Sequence, residues 1–297
     1  CESCGSELAS AVAAPVPTGS PRAESFPVPK TTLSQAPGIA DQCLECSGKV
    51  LDDGFCSQCG KKAPSPRDHW QESPVEWIGG VCDKGVVHAR NEDAMALAGL
   101  PDRSLAVLVV CDGVTSGTPV PVAGGVAATV SHWGVAIERA CADANAAAIG
   151  VARALGNPSE PPSCTFIAAV VDNGVVTLGW CGDSRAYWLP DTGDAVQLML
   201  DHSLGTELIQ SGMSRSDAET DPTFHTITRW LGADSVDATP DIASHQLTEP
   251  GWLLLCSDGL WNYASPAVAV QSLVHDQVAA GLSAPVAIAA ALVRWAN

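Results

Sequence analysis

Leu105-Ala-Val-Leu-Val-Val-Cys-Asp112-Gly113 is an apolar run that stops on an aspartate and a glycine, and two other stretches of the chain close the same way. These are Val176-Thr-Leu-Gly-Trp-Cys-Gly-Asp183 and Trp252-Leu-Leu-Leu-Cys-Ser-Asp258-Gly259; the acidic pair Glu92-Asp93 follows a further run that ends at Val87. Short runs rich in Val and Leu and bounded by Gly and Asp read as strands. Any one Asp-Gly is ordinary turn chemistry. Taken together they carry more, because carboxylates at strand ends can gather at one rim of a sandwich. Acids collected there repel one another unless cations lie between them, and hard oxygen donors suit Mg²⁺ or Mn²⁺ rather than zinc.

Outward from these runs the pattern stays strand-rich. Trp77–Val87, Cys164–Val171, Val175–Cys181, Arg185–Leu189, Ala195–Leu200 and Phe224–Leu231 are strand-like. Phe166–Val171 and Val175–Trp180, joined through Asp172-Asn173-Gly174, predict a hairpin. Helical stretches are fewer. Val120–Leu155 is Ala-rich and apolar on more than one face, as a helix buried between layers is. Ser203–Gly212, Pro266–Ala279 and Pro285–Ala296 are shorter helices, the last two opening near a proline. Many strands with clustered helices predict an α+β layered sandwich over a doubly wound sheet.

Composition bounds the rest. A chain of 297 residues, 46% hydrophobic, with mean hydropathy +0.14, holds one large domain with small attachments and is not mostly disordered. Residues 71–297 carry 9 basic against 25 acidic side chains, with Lys84 the one lysine. Such a surface repels phosphate backbones, so nucleic-acid binding is not expected. The longest near-apolar stretch, Pro119–Val130, is too short to cross a bilayer. The chain opens on Cys1-Glu2-Ser3-Cys4, with no secretory signal, and reads as cut at its N-terminus. Six of the twelve cysteines form Cys-x-x-Cys pairs, while Cys82, Cys111, Cys141, Cys164, Cys181 and Cys256 stand singly, mostly in apolar runs. That usage fits a reduced, cytoplasmic setting.

Cys43-x2-Cys46-x9-Cys56-x2-Cys59 places four thiols in two knuckles, the spacing of a zinc ribbon. A redox Cys-x-x-Cys explains only one pair and lacks a βαβ context. Cys1-Glu-Ser-Cys4-Gly5 resembles Cys56-Ser-Gln-Cys59-Gly60, so it reads as the second knuckle of an upstream ribbon. Pairing Cys1 and Cys4 with Cys43 and Cys46 would orphan Cys56 and Cys59. The expected organisation is a ribbon remnant over 1–4, a Pro/Ala/Ser-rich linker over 5–42, a ribbon over 43–62, a second linker over 63–75, and a globular domain over 76–297. One lysine and two aspartates between the knuckles favour a protein contact or spacer role for the ribbon.

Six motifs in order carry a family resemblance: Gly85-Val-Val-His-Ala-Arg-Asn-Glu-Asp93, Val110-Cys-Asp-Gly113, Gly182-Asp-Ser-Arg-Ala-Tyr187, Asp201-His-Ser203, Ile227-Thr-Arg-Trp-Leu-Gly232 and Leu254-Leu-Cys-Ser-Asp-Gly-Leu260. From about Trp77 to its end the chain resembles the metal-dependent serine/threonine protein phosphatases, the PPM or type 2C family. The resemblance implies a four-layer α-β-β-α sandwich of two antiparallel sheets flanked by helices, behind a small zinc ribbon. It implies two or three Mn²⁺ or Mg²⁺ ions and a metal-activated water that hydrolyses phosphoserine and phosphothreonine. By matching positions, Asp112 is the shared carboxylate and Gly113 offers its carbonyl. The resemblance also implies that Asp258 is a ligand of one metal, that Asp93, with Glu92 beside it, is a direct or water-mediated ligand of the other, and that Asp183 holds a third, weaker one. The implied partners are phosphoproteins and a serine/threonine kinase whose work is reversed.

Four departures stand beside the resemblance. His88 occupies the place of the family's phosphate-binding arginine, and Arg90 is the nearest replacement. Asp112-Gly-Val-Thr-Ser-Gly117 carries no histidine, and Thr115 and Ser116 read as loop hydroxyls. The chain stops at Val293-Arg-Trp-Ala-Asn297, before the family's Asp-Asn pair and final strand, so a ligand and a sheet edge are expected to be missing. Ser211-Gly-Met-Ser-Arg-Ser216 falls where the family has its variable flap. The rival expectation is a pseudophosphatase or adaptor that only binds partners; a small-phosphoester hydrolase is the third.

Overall fold

The structure is a computed structural model that describes residues 42–43, 46–51, 54–63, 65–88, 90–113 and 133–297. The ribbon remnant with Cys1 and Cys4, the linker up to residue 41, and Thr115 and Ser116 lie outside the described residues.

Along the chain a 3-10 turn, Pro66–Asp68, leads into β1 (His69–Val75), β2 (Ile78–Asp83), β3 (Ala94–Gly99) and β4 (Leu105–Cys111). Helix α1 (Trp133–Ala154) precedes β5 (Ser163–Cys164), β6 (Phe166–Asp172), β7 (Val175–Cys181), β8 (Arg185–Pro190) and β9 (Val196–Gln197). Then come α2 (Leu204–Gln210), α3 (Arg215–Ala218), β10 (Leu231–Gly232), β11 (Asp241–Gln246), β12 (Gly251–Cys256), α4 (Asp258–Trp261), α5 (Ala267–Ala279) and α6 (Pro285–Ala296).

One sheet runs β11-β7-β6-β4-β3 and another β12-β8-β9, all neighbours antiparallel, with β1-β2 a separate pair. Strand alternation sorts the core into layers. On β6, Phe166, Ala168 and Val170 face α1, where they meet Trp133, Ile137, Cys141 and Ala144. Ile167 and Ala169 point the other way, into a core shared with Ala186 of β8 and with Leu198 and Met199. Beyond the second sheet, Tyr187 and Leu189 pack under Val270 and Val274 of α5 and Ile288 and Leu292 of α6. The order is therefore helix, sheet, sheet, helices, as expected.

Close approach of α1 depends on small residues. Its buried positions Cys141, Ala144, Ala148 and Ala152 lie three or four apart on one face. Gly179 of β7 faces Ile137, whose Cγ2 would stand 2.3 Å from a Cβ there. The hairpin appears as read: Asp172 pairs with Val175, and Asn173 (φ 47°) and Gly174 (φ 80°) supply the left-handed turn.

Three expectations are corrected. Residues 65–75 are not a linker. Ser65 caps the 3-10 turn in a capping box with Asp68, and β1 pairs with β2 from His69↔Asp83 to Val75↔Ile78. Only residue 64 then separates Ala63, buried with Cys43, Val50 and Cys56, from the capped turn. Phe224–Leu231 is no strand over most of its length. Its polar backbone is satisfied by loop contacts, Leu204 N–H to Thr226 O at 2.9 Å and Thr228 N–H to His202 O at 2.8 Å, leaving only β10 at its end. Ala195–Leu200 shortens to β9, because the paired rungs with β8 end at Gln197 and only Leu198 N–H, to Ala186 O at 2.9 Å, reaches β8 beyond it.

Candidate metal centre

The acid-ended strands do converge. Asp112 follows β4, Asp258 opens α4 after β12, Asp93 precedes β3, and Asp183 lies between β7 and β8. Asp112 takes the middle position, in side-chain contact with Asp93 on one side and Asp258 on the other. Burial pushes its carboxyl well above the ordinary range, and the charges of Asp93, Asp258 and Asp183 push it further. Asp93 is raised too, by burial first. Burial, Asp201 and Asp258 push Asp183 up to about 7. Among the described residues no salt bridge reaches Asp93, Asp112, Asp183 or Asp258; Arg90 pairs with Glu92 beside them, and Arg185 with Asp201.

Hydrogen bonds fix where each carboxylate stands. Asp112 N–H donates to Thr165 Oγ1 at 3.0 Å, and Thr165 Oγ1 lies 2.7 Å from Ser184 Oγ, beside Asp183. Asn91 is buried; its Oδ1 accepts from Asp93 N–H at 3.0 Å, and its Nδ2 donates to Arg67 O at 2.8 Å. Ser257 Oγ donates to Asp93 Oδ2 at 3.5 Å, and Asn262 Nδ2 to Asp258 Oδ2 at 3.1 Å. Gly113 lies against Glu92 so closely that a Cβ would stand 2.6 Å from Glu92 Cβ.

Asp93, Asp112 and Asp258 line a cavity of about 360 Å³, together with Glu92, Gly113, Arg90 and His88. The cavity continues between β2 and β12 to α6, where Leu253, Leu292 and Val293 make it apolar. Arg90 Nε donates to Glu92 Oε1 at 3.0 Å, and His88 is exposed. Asp183, buried at 7% exposure, is not among the residues that line the cavity. The donor set fits hard divalent cations: Asp93, Asp112 and Asp258 crowd together half-buried, Asp93 and Asp112 are pushed toward the protonated form, and all offer oxygen.

The cysteine module has its own geometry. Cys43 Sγ lies 3.6 Å from Cys59 Sγ and Cys46 Sγ 3.4 Å from Cys56 Sγ, and all four sulfurs fall within 4.8 Å of one another. A zinc tetrahedron with bonds of about 2.3 Å has edges of about 3.8 Å, so the quartet fits that ion. Backbone N–H groups of Cys59 and Gln58 hold the Cys56 thiol down to about 6, favouring the thiolate that binds metal. Among the described residues this is the one such group of ligand atoms drawn so close.

Several residues around the centre carry no expectation from the sequence: Asn91, Thr165, Ser184, Ser257, Asn262 and the Arg185–Asp201 pair. Thr165 and Arg185 leave a signal, since each is a polar residue beside or inside an apolar strand run. A buried position there requires a partner.

No protein-family model matches the sequence, and no curated protein matches it. Solved structures do. Serine/threonine phosphatase Stp1 from Staphylococcus aureus is 23% identical, with 72% of this chain covering 86% of that one at a TM-score of 0.60. The PPM Ser-Thr phosphatase MsPP from Mycobacterium smegmatis, in complex with cacodylate, is 25% identical over 77% of this chain and 91% of its own, TM-score 0.53. The catalytic domain of PstP, in complex with two manganese ions, is 21% identical over 77% and 90%, TM-score 0.53.

Proposed function

We propose, for a chain with the fold of the PPM serine/threonine phosphatases, that it is a Mn²⁺- or Mg²⁺-dependent phosphatase of phosphoserine and phosphothreonine in proteins, with structural zinc in its cysteine module. The observation that carries this reading is Asp112, half-buried in the cavity lining in contact with both Asp93 and Asp258. In that position it can serve two cations at once, Asp93 and Glu92 with the Gly113 carbonyl completing one side and Asp258 the other. Asp183 and Asp258 would hold a third, weaker cation. When bound, the cations activate a water for attack on phosphorus and neutralise the phosphoryl oxygens.

The chain's own groups orient and screen. Thr165 holds the backbone of Asp112, Asn91 that of Asp93, and Asn262 the carboxylate of Asp258. Arg90, steadied by Glu92, and His88 stand at the cavity lining, where they can bind the phosphoryl group. Solvent is left to protonate the leaving alkoxide. Phosphoproteins are the substrates, and a serine/threonine kinase of the same cytoplasm makes them. The ribbon, tied closely to the domain, holds a protein partner near the centre.

An adaptor reading draws on one observation: Arg90 is already engaged by Glu92, and His88 takes the arginine's place. Phosphate release from a phosphothreonine peptide and from phosphorylated metabolites, with and without Mn²⁺, separates the possibilities. Mn²⁺-dependent release from the peptide supports the phosphatase. Release from metabolites alone makes the chain a small-phosphoester hydrolase, and no release leaves the adaptor.

A further inference from the structure

Arg185 is the most deeply buried cation among the described residues, at 2% exposure, and no role in the reading above uses it. Its Nε lies 3.0 and 2.9 Å from the two oxygens of Asp201, and its Nη2 2.6 Å from Oδ2, a two-toothed grip. Nη1 donates to Ser265 Oγ at 2.9 Å and to Tyr187 Oη at 3.2 Å. The guanidinium lies 3.7 Å from the ring centroid of Trp261. Trp261 ends α4, the single turn that Asp258 begins.

Register explains why this matters. Arg185 pairs with Cys256 at the last rung between β8 and β12. Asp183 lies two residues before Arg185, and Asp258 two residues after Cys256. Both carboxylates therefore leave the open end of the same ladder, where no sheet hydrogen bond sets their separation. Arg185 spans that end, fixed to Asp201 and β8 on one side and to the Trp261 face on the other.

We propose that Arg185 is the positioning residue that sets Asp183 against Asp258, so that the two carboxylates hold one divalent cation between them; the inference rests on the cation-dependent reading given above. Lysine cannot replace it, because an ammonium has neither the fork for Asp201 nor the flat face for Trp261.

The test is Mn²⁺ binding to the full-length protein, followed by the electron paramagnetic resonance of the free ion. Asp183→Asn marks the weaker class of sites and Asp112→Asn the tighter one. Arg185→Lys and Trp261→Leu are measured beside them, after a cooperative melting transition shows which variant is folded; Trp261→Leu keeps the Arg185–Asp201 pair. The expected result in a folded variant is a weaker class loosened about tenfold, the scale of a desolvated cation–π contact, with the tighter class, which shares only Asp258 with it, loosened clearly less. Combining either with Asp183→Asn adds nothing further. Equal loosening of both classes, or of neither, overturns the positioning role while leaving the phosphatase reading intact. Wild-type protein without any Asp112-dependent class overturns the phosphatase reading, and this role with it.

Discussion

Asp112 and Thr165 exchange two hydrogen bonds: Asp112 N–H donates to Thr165 Oγ1 at 3.0 Å, and Thr165 N–H donates to Asp112 O at 2.8 Å. The end of β4 is thereby clamped to the junction of β5 and β6, where the chain carries the central carboxylate. Thr165→Val keeps the shape and removes the acceptor, leaving a buried N–H unpaired at a cost of about 1–3 kcal/mol. Urea denaturation should read that loss, and Mn²⁺ affinity should fall with it. Thr165→Ser keeps the hydroxyl and should stay close to wild type in affinity. A valine variant with wild-type affinity would show that the clamp does not orient Asp112.

Gly113→Ala tests the packing of the metal loop. The added methyl would stand 2.6 Å from Glu92 Cβ and 2.9 Å from Glu92 O, so the Glu92-Asp93 loop must move. Overpacking of this kind costs about 1–3 kcal/mol. The expected signature is a lower melting temperature together with weakened Mn²⁺ binding, read by calorimetry on the same sample.

Without metal, stability should fall as the pH rises. Asp183 is held at about 7, with Asp93 and Asp112 also raised. The unfolded chain releases these protons near pH 4. From about pH 4 to 7 the folded state therefore binds more protons than the unfolded state, and each step up in pH favours unfolding. Melting temperatures in chelator should decline across that window, and saturating Mn²⁺ should flatten the slope. A metal-free protein equally stable at pH 5 and pH 7.5 would contradict the crowding of these acids.

Zinc should leave the cysteine module without dismantling the sandwich. The ribbon packs its own cluster of Cys43, Val50, Cys56 and Ala63, separate from the cores between the layers. Cys56→Ser removes the sulfur whose thiol is held down to about 6 and should release one zinc equivalent per chain, counted by mass spectrometry of the metal. The main melting transition should move little. Its collapse on zinc loss would mean that the ribbon is part of the domain's core.

Much of this could be read in the residues because burial writes a period. β4, β6, β7, β8 and β12 are Val-, Leu- and aromatic-rich runs with turn residues at their ends, and α6 begins on its proline. The missed strands lack that signature. Ala94–Gly99 is Ala-Met-Ala-Leu-Ala-Gly, helix formers up to its last residue, and becomes a strand through pairing with β4 over six positions. Asp241–Gln246 carries a single β-branched residue and is held by β7. Pro66–Val75 looked like linker because its prolines and charges hide a half-exposed edge strand, where Pro74 is tolerated. The carboxylates were legible from their place at strand ends. Asn91 was not, and Thr165 and Arg185 showed only as polar residues beside or inside apolar runs, since their roles depend on partners 24, 53 and 16 residues away.

Phosphate release from a phosphothreonine peptide, measured against Mn²⁺ concentration for the full-length protein and its Asp112→Asn variant, tests the central claim most directly. The account predicts saturable, Mn²⁺-dependent turnover that falls by at least about a hundredfold in a folded Asp112→Asn protein, an estimate from the several kcal/mol that metal-ion stabilisation of a transition state contributes. Turnover that persists in the variant, or that ignores Mn²⁺, would contradict it.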